Sequence, residues 1–507
     1  MVFPVQSFST DSQNETAHTD SNGLSVILMI GDGMGFEHVK LAQWVEMGVN
    51  GTLSMQELPI QAEVQTRNIE NIVTDSAASG TAIATGYKTY NGILSLTLAE
   101  VELPSILELS QDLYKSTGIV TTTEVTDATP AAFYSHVLNR GYDTQIVNQL
   151  ATSNVNVVMG GGRNKLMSKI QILEDQGYAI INNRSELHSV TGEKVIGLFA
   201  DNALPYEQDR DRSTTPSLAE MTNKSLELLS QDPDGFFLMV EGGQIDWGSH
   251  ANNEVNTVLE IIEFDKAVKT GIDYVNTHDN IILIVTADHE TGGLALSSES
   301  LTQPLPSEHY TEDFNEELRI NRTREIALSW SSGVHTNAHV PLYALGDSLS
   351  SISNTTLDNT QIYAVMKNYI LPNDQGKPAI SIIYPENKTY NESRITLSIS
   401  SNESLPWVVY SLNDGPNITI PLLTTSFTFS DGKYNLKIYG NDTMGNVGRT
   451  EVFFTVKASG VASSTTSELS STISSTTTTT STSSIGFTWL MAFLSLILII
   501  CKKKTSQ

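Results

Sequence analysis

The chain has 507 residues, and its 29 Lys and Arg against 57 Asp and Glu give a formal net charge of −28. A balance this acidic disfavours nucleic acid as a partner, because like charges repel. The only cysteine, Cys501, excludes an intrachain disulfide and a thiolate metal site, so a bound metal must use histidine and carboxylate ligands.

The N-terminal segment, residues 1–22, has no basic start and no sustained apolar run, and it is interpreted as a leader or disordered segment. Two interpretations remain open. In the first, the true start lies upstream and this segment ends a signal peptide. In the second, the protein is tail-anchored with its bulk in the cytoplasm. The first is favoured.

Residues 23–371 predict a catalytic α/β domain. Apolar runs of strand length alternate with segments of helical periodicity, and these runs are 26–30, 119–123, 155–159, 236–240 and 281–286. Continuous apolar strands separated by helices predict a mostly parallel central sheet flanked by helices. Ligands of such sheets bind beyond the carboxyl ends of the strands, so the residues that follow the strands are candidates for function.

Acidic residues and histidines follow three of these strands, and one further histidine lies later in the chain. They are Asp32, Glu241, Asp246, His250, Asp288, His289 and His335. Side chains of this kind bind zinc or magnesium. One Asp-His pair alone is more often structural, but three strand ends with the same chemistry predict a metal centre.

Ser76 stands among small residues in TDSAASGTA, ahead of sequence that is compatible with a helix. A serine at a helix N-terminus lies beside exposed N–H groups and a dipole that favour phosphate. It could equally be a helix N-cap. The predicted ligands around it favour a nucleophile.

The C-terminal part changes texture in four steps. Short β-type runs at 377–457 predict a small all-β sandwich, loosely similar to immunoglobulin-like or fibronectin-like modules. Residues 458–484 are a Ser/Thr-rich stalk, 485–501 an apolar transmembrane helix, and 502–507 a basic cytoplasmic tail. The lysines after the helix place the catalytic domain outside the cell, anchored at the cell membrane. Scattered Asn-x-Ser/Thr sequons agree with a surface glycoprotein.

Six motifs together resemble the alkaline phosphatase family over residues 25–371. In order they are GDGMG, TDSAASGTA, TDATPAAFYSHVLNR, EGGQIDWGSH, TADHETGG and the HT of GVHTNAH. The resemblance implies hydrolysis of small phosphate monoesters through a phosphoserine at Ser76, with Arg140 holding two phosphate oxygens. It also implies a homodimer.

The same resemblance implies two zinc ions and one magnesium ion. The first zinc set is Asp246, His250 and His335; the second is Asp32, Asp288, His289 and deprotonated Ser76; the magnesium set is Asp32, Thr129 and Glu241, with Asp127 acting through water. Trp247 departs from the pattern, since some members have lysine there and others histidine. It supplies neither a metal ligand nor a positive charge to phosphate. His38, His136 and His339 are assigned no role.

Two other functions stay open. A phosphodiesterase or sulfatase could use the same fold, although the modifiable residue of a sulfatase motif is absent. A surface or adhesion protein with an inactive phosphatase-like domain is suggested by the sandwich, stalk and anchor, but no ligand position has been lost.

Overall fold

The computed structural model describes residues 23–297, 312–371 and 377–458, apart from short gaps at 402–404, 406, 414, 421–423 and 442–446. The predicted leader, anchor and basic tail, and the stalk beyond Ala458, lie outside these residues. Within the described ranges no helix is both long and apolar enough to cross a bilayer.

The described residues form thirteen α-helices and twenty-two strands. The helices are α1 (Phe36–Met47), α2 (Ser76–Thr85), α3 (Ile106–Asp112), α4 (Ala128–Ala131), α5 (Asp143–Leu150), α6 (Arg163–Leu166), α7 (Ile170–Asp175), α8 (Arg184–Ser189), α9 (Leu218–Leu229), α10 (Gln244–His250), α11 (Glu254–Val275), α12 (Glu312–Glu325) and α13 (Asn359–Ile370). The strands up to residue 358 are β1 (Ser25–Gly31), β2 (Ile60–Gln65), β3 (Ser116–Glu124), β4 (Val157–Gly161), β5 (Ala179–Ile181), β6 (Val195–Leu198), β7 (Phe236–Gly242), β8 (Ile281–Thr286), β9 (Glu290–Thr291), β10 (Leu294–Leu296), β11 (Leu328–Trp330), β12 (His335–Thr336), β13 (Val340–Leu345) and β14 (Thr356–Asp358). The later strands are β15 (Ile380–Tyr384), β16 (Thr389–Tyr390), β17 (Arg394–Ser401), β18 (Trp407–Leu412), β19 (Ile418–Thr419), β20 (Thr424–Thr428), β21 (Gly432–Asn441) and β22 (Val447–Val456).

A ten-stranded sheet forms the centre of the first part, in the order β14-β2-β13-β8-β1-β7-β3-β4-β6-β5. Every strand is parallel to its neighbours except β13, which is antiparallel to both β2 and β8. The prediction of a mostly parallel sheet with flanking helices is confirmed. All five predicted strands are present, but β4 begins at Val157 and not at residue 155.

Strand register brings the candidate ligands to one level. Ile30 in β1 pairs with Glu241 in β7 and with Thr286 in β8. Asp32 and Asp288 therefore each lie two residues beyond paired positions. Because the three strands are parallel, these carboxylates emerge at the same edge of the sheet, which is where ligands of such sheets bind.

The second part, from Ile380 to Val456, is a β-sandwich. A three-stranded sheet, β15-β17-β20, and a five-stranded sheet, β16-β22-β21-β18-β19, enclose an apolar cluster of their own. Ile395, Leu436 and Ile438 lie in this cluster and are almost completely buried. The sequence prediction of a small all-β sandwich is confirmed.

The central strands predict where the fold is most sensitive to mutation. Ile27 in β1 is completely buried, so Ile27→Ala leaves a cavity and should lower the free energy of unfolding by about 2–5 kcal/mol. Ile172 in α7 is 46% exposed, and Ile172→Ala is the matched control, with an expected loss below about 1 kcal/mol. Urea unfolding followed by tryptophan fluorescence measures both, and equal losses would contradict this assignment of the core.

Candidate active site

Ser76 is the first residue of α2, directly after the N-cap Asp75. The Asp75 carboxylate accepts a hydrogen bond from the Ala78 backbone N–H at 2.9 Å, which fixes the start of the helix. Ser76 is buried, and its Oγ lies 3.3 Å from Nε2 of His289. The serine hydroxyl therefore faces the histidine that was predicted as its neighbour at a zinc ion.

Hydrogen bonds to backbone carbonyls determine the tautomers of two histidines. His335 Nδ1 lies 2.9 Å from the carbonyl oxygen of Thr74, and His250 Nδ1 lies 2.8 Å from that of Gly333. A carbonyl only accepts, so each neutral imidazole carries its proton on Nδ1. Their Nε2 atoms lie 3.0 Å apart and then present lone pairs to each other. A cation between them would make this arrangement favourable.

His289 has the same orientation for a different reason. The Thr291 hydroxyl donates to Oδ1 of Asp246 at 2.5 Å and lies 3.2 Å from His289 Nδ1. Because its single proton is used on Asp246, the hydroxyl accepts from Nδ1–H of His289. The Nε2 lone pair of His289 is consequently directed toward the carboxylates and Ser76, as in a metal ligand held by a hydrogen bond to its other nitrogen.

Two sets of three potential ligands have donor atoms within 4.8 Å of one another: Asp246 with His250 and His335, and Asp32 with Asp246 and His289. The first has the composition of the predicted first zinc set. The second differs from the prediction, because Asp246 joins Asp32 and His289. Asp246 therefore lies between the two sets and offers a carboxylate oxygen to each.

Asp288 also belongs to this region. Its Oδ1 accepts hydrogen bonds from the backbone N–H groups of Gly33 and His289, at 3.1 and 2.9 Å. Its Oδ2 lies 3.2 Å from His289 Nε2, and Oδ1 of Asp32 lies 3.6 Å from the same nitrogen. Both of these carboxylate oxygens are buried without a hydrogen-bond partner. Buried oxygens without a donor fit a cation, because leaving them unpaired is costly.

The protein groups alone do not stabilise these charges. Burial, then the charges of Asp288 and Asp246, raise the pKa of Asp32 well above its ordinary value. Burial likewise raises the pKa of Asp288 to about 7 and that of Glu241 to about 8. Burial lowers the pKa of His289, which keeps its imidazole neutral. Bound cations would hold the carboxylates ionised at neutral pH.

The predicted magnesium residues are only partly brought together. Thr129 donates to Oδ2 of Asp32 at 3.2 Å. Glu241 Oε2 instead accepts from the hydroxyls of Thr121 and Thr123, the second at 3.3 Å. Glu241 therefore contacts neither of the other two predicted ligands through a hydrogen bond in the described structure.

Arg140 is held between two carboxylates. Its guanidinium donates to Asp127 at 2.9 Å and to Asp75 at 3.5 Å, and about a third of the side chain is exposed. Asp127 thus faces Arg140 and also accepts from the Ala128 backbone N–H at 2.7 Å. Trp247 follows the buried Asp246 and is 40% exposed, so an uncharged aromatic ring lies at the surface beside this ligand.

Three hydroxyls that the sequence analysis missed support the ligands. Thr291 orients Asp246 and His289, and Thr121 and Thr123 hold Glu241. The sequence contains a weak signal for the two threonines of β3. Thr121 and Thr123 are two residues apart in β3, so they lie on the same face of the strand.

Comparisons with known proteins match this part of the chain to one family. A family model described as alkaline phosphatase matches residues 24–315. Alkaline phosphatase 3 of Bacillus subtilis (strain 168) is 32% identical over 403 residues, covering 67% of this chain and 87% of that protein. The solved cold-active alkaline phosphatase of a psychrophilic Shewanella is 28% identical, with a TM-score of 0.61 and coverage of 68% of this chain and 100% of that one. A solved mutant of TAB5 alkaline phosphatase is 30% identical, with a TM-score of 0.59 and coverage of 68% and 97%.

Thr291 gives a test of the support for the metal ligands. Thr291→Val removes the hydroxyl that orients Asp246 and His289, and should weaken metal binding at these residues by about 10–100-fold. Competition against a chromogenic chelator measures this. Thr323→Val is the control, because Thr323 is also buried but its hydroxyl bonds only to the carbonyl of Arg319 in α12. Equal metal affinity in the two variants would show that Thr291 does not orient the ligands.

Proposed function

The chain belongs to the alkaline phosphatase family and hydrolyses phosphate monoesters, and we propose that Ser76 is the nucleophile of this reaction. The observation that carries the proposal is the position of Ser76 at the first turn of α2, with its Oγ 3.3 Å from the free nitrogen of His289. The serine oxygen attacks phosphorus, the alcohol leaves, and a phosphoserine forms. Water then releases inorganic phosphate.

The neighbouring groups bind and orient the phosphate. The N-terminal N–H groups of α2, a helix of ten residues, favour an anion beside Ser76. Arg140 donates two parallel hydrogen bonds to phosphate oxygens, for which a planar guanidinium is well suited. Asp75 and Asp127 hold that guanidinium in place and leave it partly exposed to an incoming substrate.

We further propose that two zinc ions and one magnesium ion serve this site. Asp246, His250 and His335 would hold one zinc, and Asp32, Asp288 and His289 the other, with Asp246 close to both. When bound, these ions would lower the pKa of the Ser76 hydroxyl and offset negative charge on the phosphate. Histidine and carboxylate donors suit zinc. Elemental analysis of the purified protein tests the proposed stoichiometry.

Magnesium would take Asp32, Thr129 and Glu241, with Asp127 acting through water. An all-oxygen donor set suits magnesium. The solved TAB5 mutant is described with Mg bound in its M3 site. Thr121 and Thr123 both donate to Oε2 of Glu241, which leaves Oε1 for a cation, and loss of magnesium alone from Glu241→Gln would support this set.

We also propose that the enzyme is a glycosylated surface protein that scavenges phosphate from external monoesters. The apolar run 485–501, the lysines after it and the Ser/Thr-rich stalk 458–484 support a C-terminal anchor with the catalytic domain outside. Release of activity from intact cells by protease would test this topology. The proposed homodimer is tested by sedimentation of the purified ectodomain.

Replacing the nucleophile gives the decisive test. Ser76→Ala should abolish the acid-stable phosphoenzyme and lower the turnover of a simple monoester by at least about 10³-fold. Acid quenching with ³²P-labelled substrate measures the phosphoenzyme. Ser225→Ala is the control, because the hydroxyl of this buried serine of α9 bonds to the Met221 carbonyl in the same helix and to the Met159 sulfur in β4, and neither residue is a candidate ligand. Full activity of the Ser76→Ala protein would end the proposal, and a diester substrate run in parallel tests the phosphodiesterase alternative.

A further inference from the structure

His136 makes two short hydrogen bonds to groups that can only accept. Its Nδ1 lies 2.8 Å from the carbonyl oxygen of Ser95, and its Nε2 lies 2.8 Å from Oε1 of Glu108. The side chain is largely buried. A neutral imidazole has one N–H, so it could satisfy only one of these acceptors.

Glu108 is fixed as an ionised acceptor. It is the N3 residue of a capping box at the start of α3, where its Oε2 accepts from the Ser105 backbone N–H at 2.8 Å. Hydrogen bonds from His136 and Ser105 outweigh burial and lower the pKa of Glu108. Burial lowers the pKa of His136, but the bonds to Glu108 and Ser95 outweigh it and raise that pKa above the ordinary value. His136 is therefore an imidazolium that donates from both nitrogens.

The segment that carries His136 also carries Arg140. Val137 and Leu94 exchange two backbone hydrogen bonds of 3.0 and 2.9 Å, and the Arg140 N–H donates to the Gly92 carbonyl at 2.7 Å. Gly92 in turn donates its N–H to Oδ2 of Asp75 at 2.9 Å. The residues 136–140 thus lie against 92–95, which is tied to the N-cap of the helix that begins with Ser76.

We propose that His136 is a positioning residue for Arg140, and that its imidazolium form holds 136–140 in the place where the guanidinium can bind phosphate. Loss of one proton at alkaline pH leaves a lone pair on Nδ1 facing the Ser95 carbonyl oxygen, because the charged Glu108 carboxylate retains the proton on Nε2 more strongly. That contact is repulsive, so the segment loosens and phosphate binds less tightly. The inference rests on the proposed role of Arg140 in holding phosphate.

The surroundings allow His136 to titrate. Glu108 and His136 line a cavity of about 430 Å³, together with Glu102, Asp112, Gln111 and Tyr134 among others. Among its described lining residues there is no Lys or Arg. The charges of Glu108 and Glu102 favour the charged form of His136, and solvent in the cavity can accept its proton.

The direction of the pH dependence follows from the raised pKa. Below the ordinary histidine pKa of 6.5, His136 is fully charged and keeps residues 136–140 in place. This effect is lost as pH rises through the raised pKa of His136. Weaker phosphate binding in the alkaline range would favour release of the product. Phosphate and the metal ligands titrate as well, so the comparison must be made between variants at each pH.

The test measures the dissociation constant of inorganic phosphate by calorimetry, on the full metal-loaded protein, between about pH 6 and pH 10. His136→Gln cannot carry the charge, so its constant should exceed the wild-type constant about fivefold at the acid end. The ratio should fall toward one at the alkaline end, where wild-type His136 is neutral too. A ratio that does not change with pH overturns the proposal.

Glu108→Gln provides a second variant that keeps the capping box, because glutamine also serves at N3. Its amide can donate to a neutral His136, so the pH-dependent step attributed to His136 should disappear. If it persists unchanged, the proposal is overturned even if His136→Gln does not fold. His188→Gln is the matched control, since His188 is an exposed histidine 3.1 Å from Glu220, and its ratio should stay near one.

Arg140→Ala separates this inference from its premise. If phosphate binds to Arg140→Ala as it does to wild type, the proposed role of Arg140 fails. If Arg140→Ala loses affinity while the His136→Gln ratio is constant with pH, only the inference about His136 is overturned.

Discussion

The site depends on the need for positive charge among acceptor atoms that have no donor. Oδ1 of Asp32 and Oδ2 of Asp288 are buried without donors, and the Nε2 atoms of His250 and His335 face each other at 3.0 Å. Moving protons within the neutral imidazoles brings no donor to these four atoms. The single proton of His250 and that of His335 lie on Nδ1, where each is donated to a backbone carbonyl. Cations satisfy them at once. Bound cations would therefore stabilise this part of the fold as well as supply its chemistry.

The parallel sheet offsets the free-energy cost of these unpaired acceptor atoms. The register of β1 with β7 and β8 brings Asp32, Glu241 and Asp288 to one edge without any long-range adjustment. The apolar strands behind them are fully buried and hold the edge rigid. The unpaired polar atoms are thus confined to the edge of the sheet. The stability of the fold comes from the apolar residues that precede them along each strand.

The sequence was sufficient to predict strands and ligands where a local pattern of apolar residues coincides with a buried position in the fold. The buried strands such as 26–30 were predicted because they are apolar throughout, and the ligands because they follow those strands. β2 was missed because its buried and exposed residues alternate on a short edge-side strand, and β5 because it has only three residues. The role of Asp246 between the two ligand sets, and of Thr291 beside it, arises from pairing of β9 with β12 and packing against α10. Those contacts join residues far apart in the chain and leave no local pattern.

The net charge of −28 also explains why Arg140 needs such firm support. A phosphate monoester carries negative charge and is repelled by the protein as a whole, so attraction must be local. The available sources are the bound cations, the N-terminus of α2 and the guanidinium. Arg140 lies between two aspartates that would draw it from the substrate if its backbone could move. That movement is restricted by the hydrogen bond from the Arg140 backbone N–H to the Gly92 carbonyl. The hydrogen bonds of His136 to Ser95 and Glu108 restrict it as well. In the proposed role of Arg140, the guanidinium exchanges a carboxylate for a phosphate while residues 136–140 stay in place.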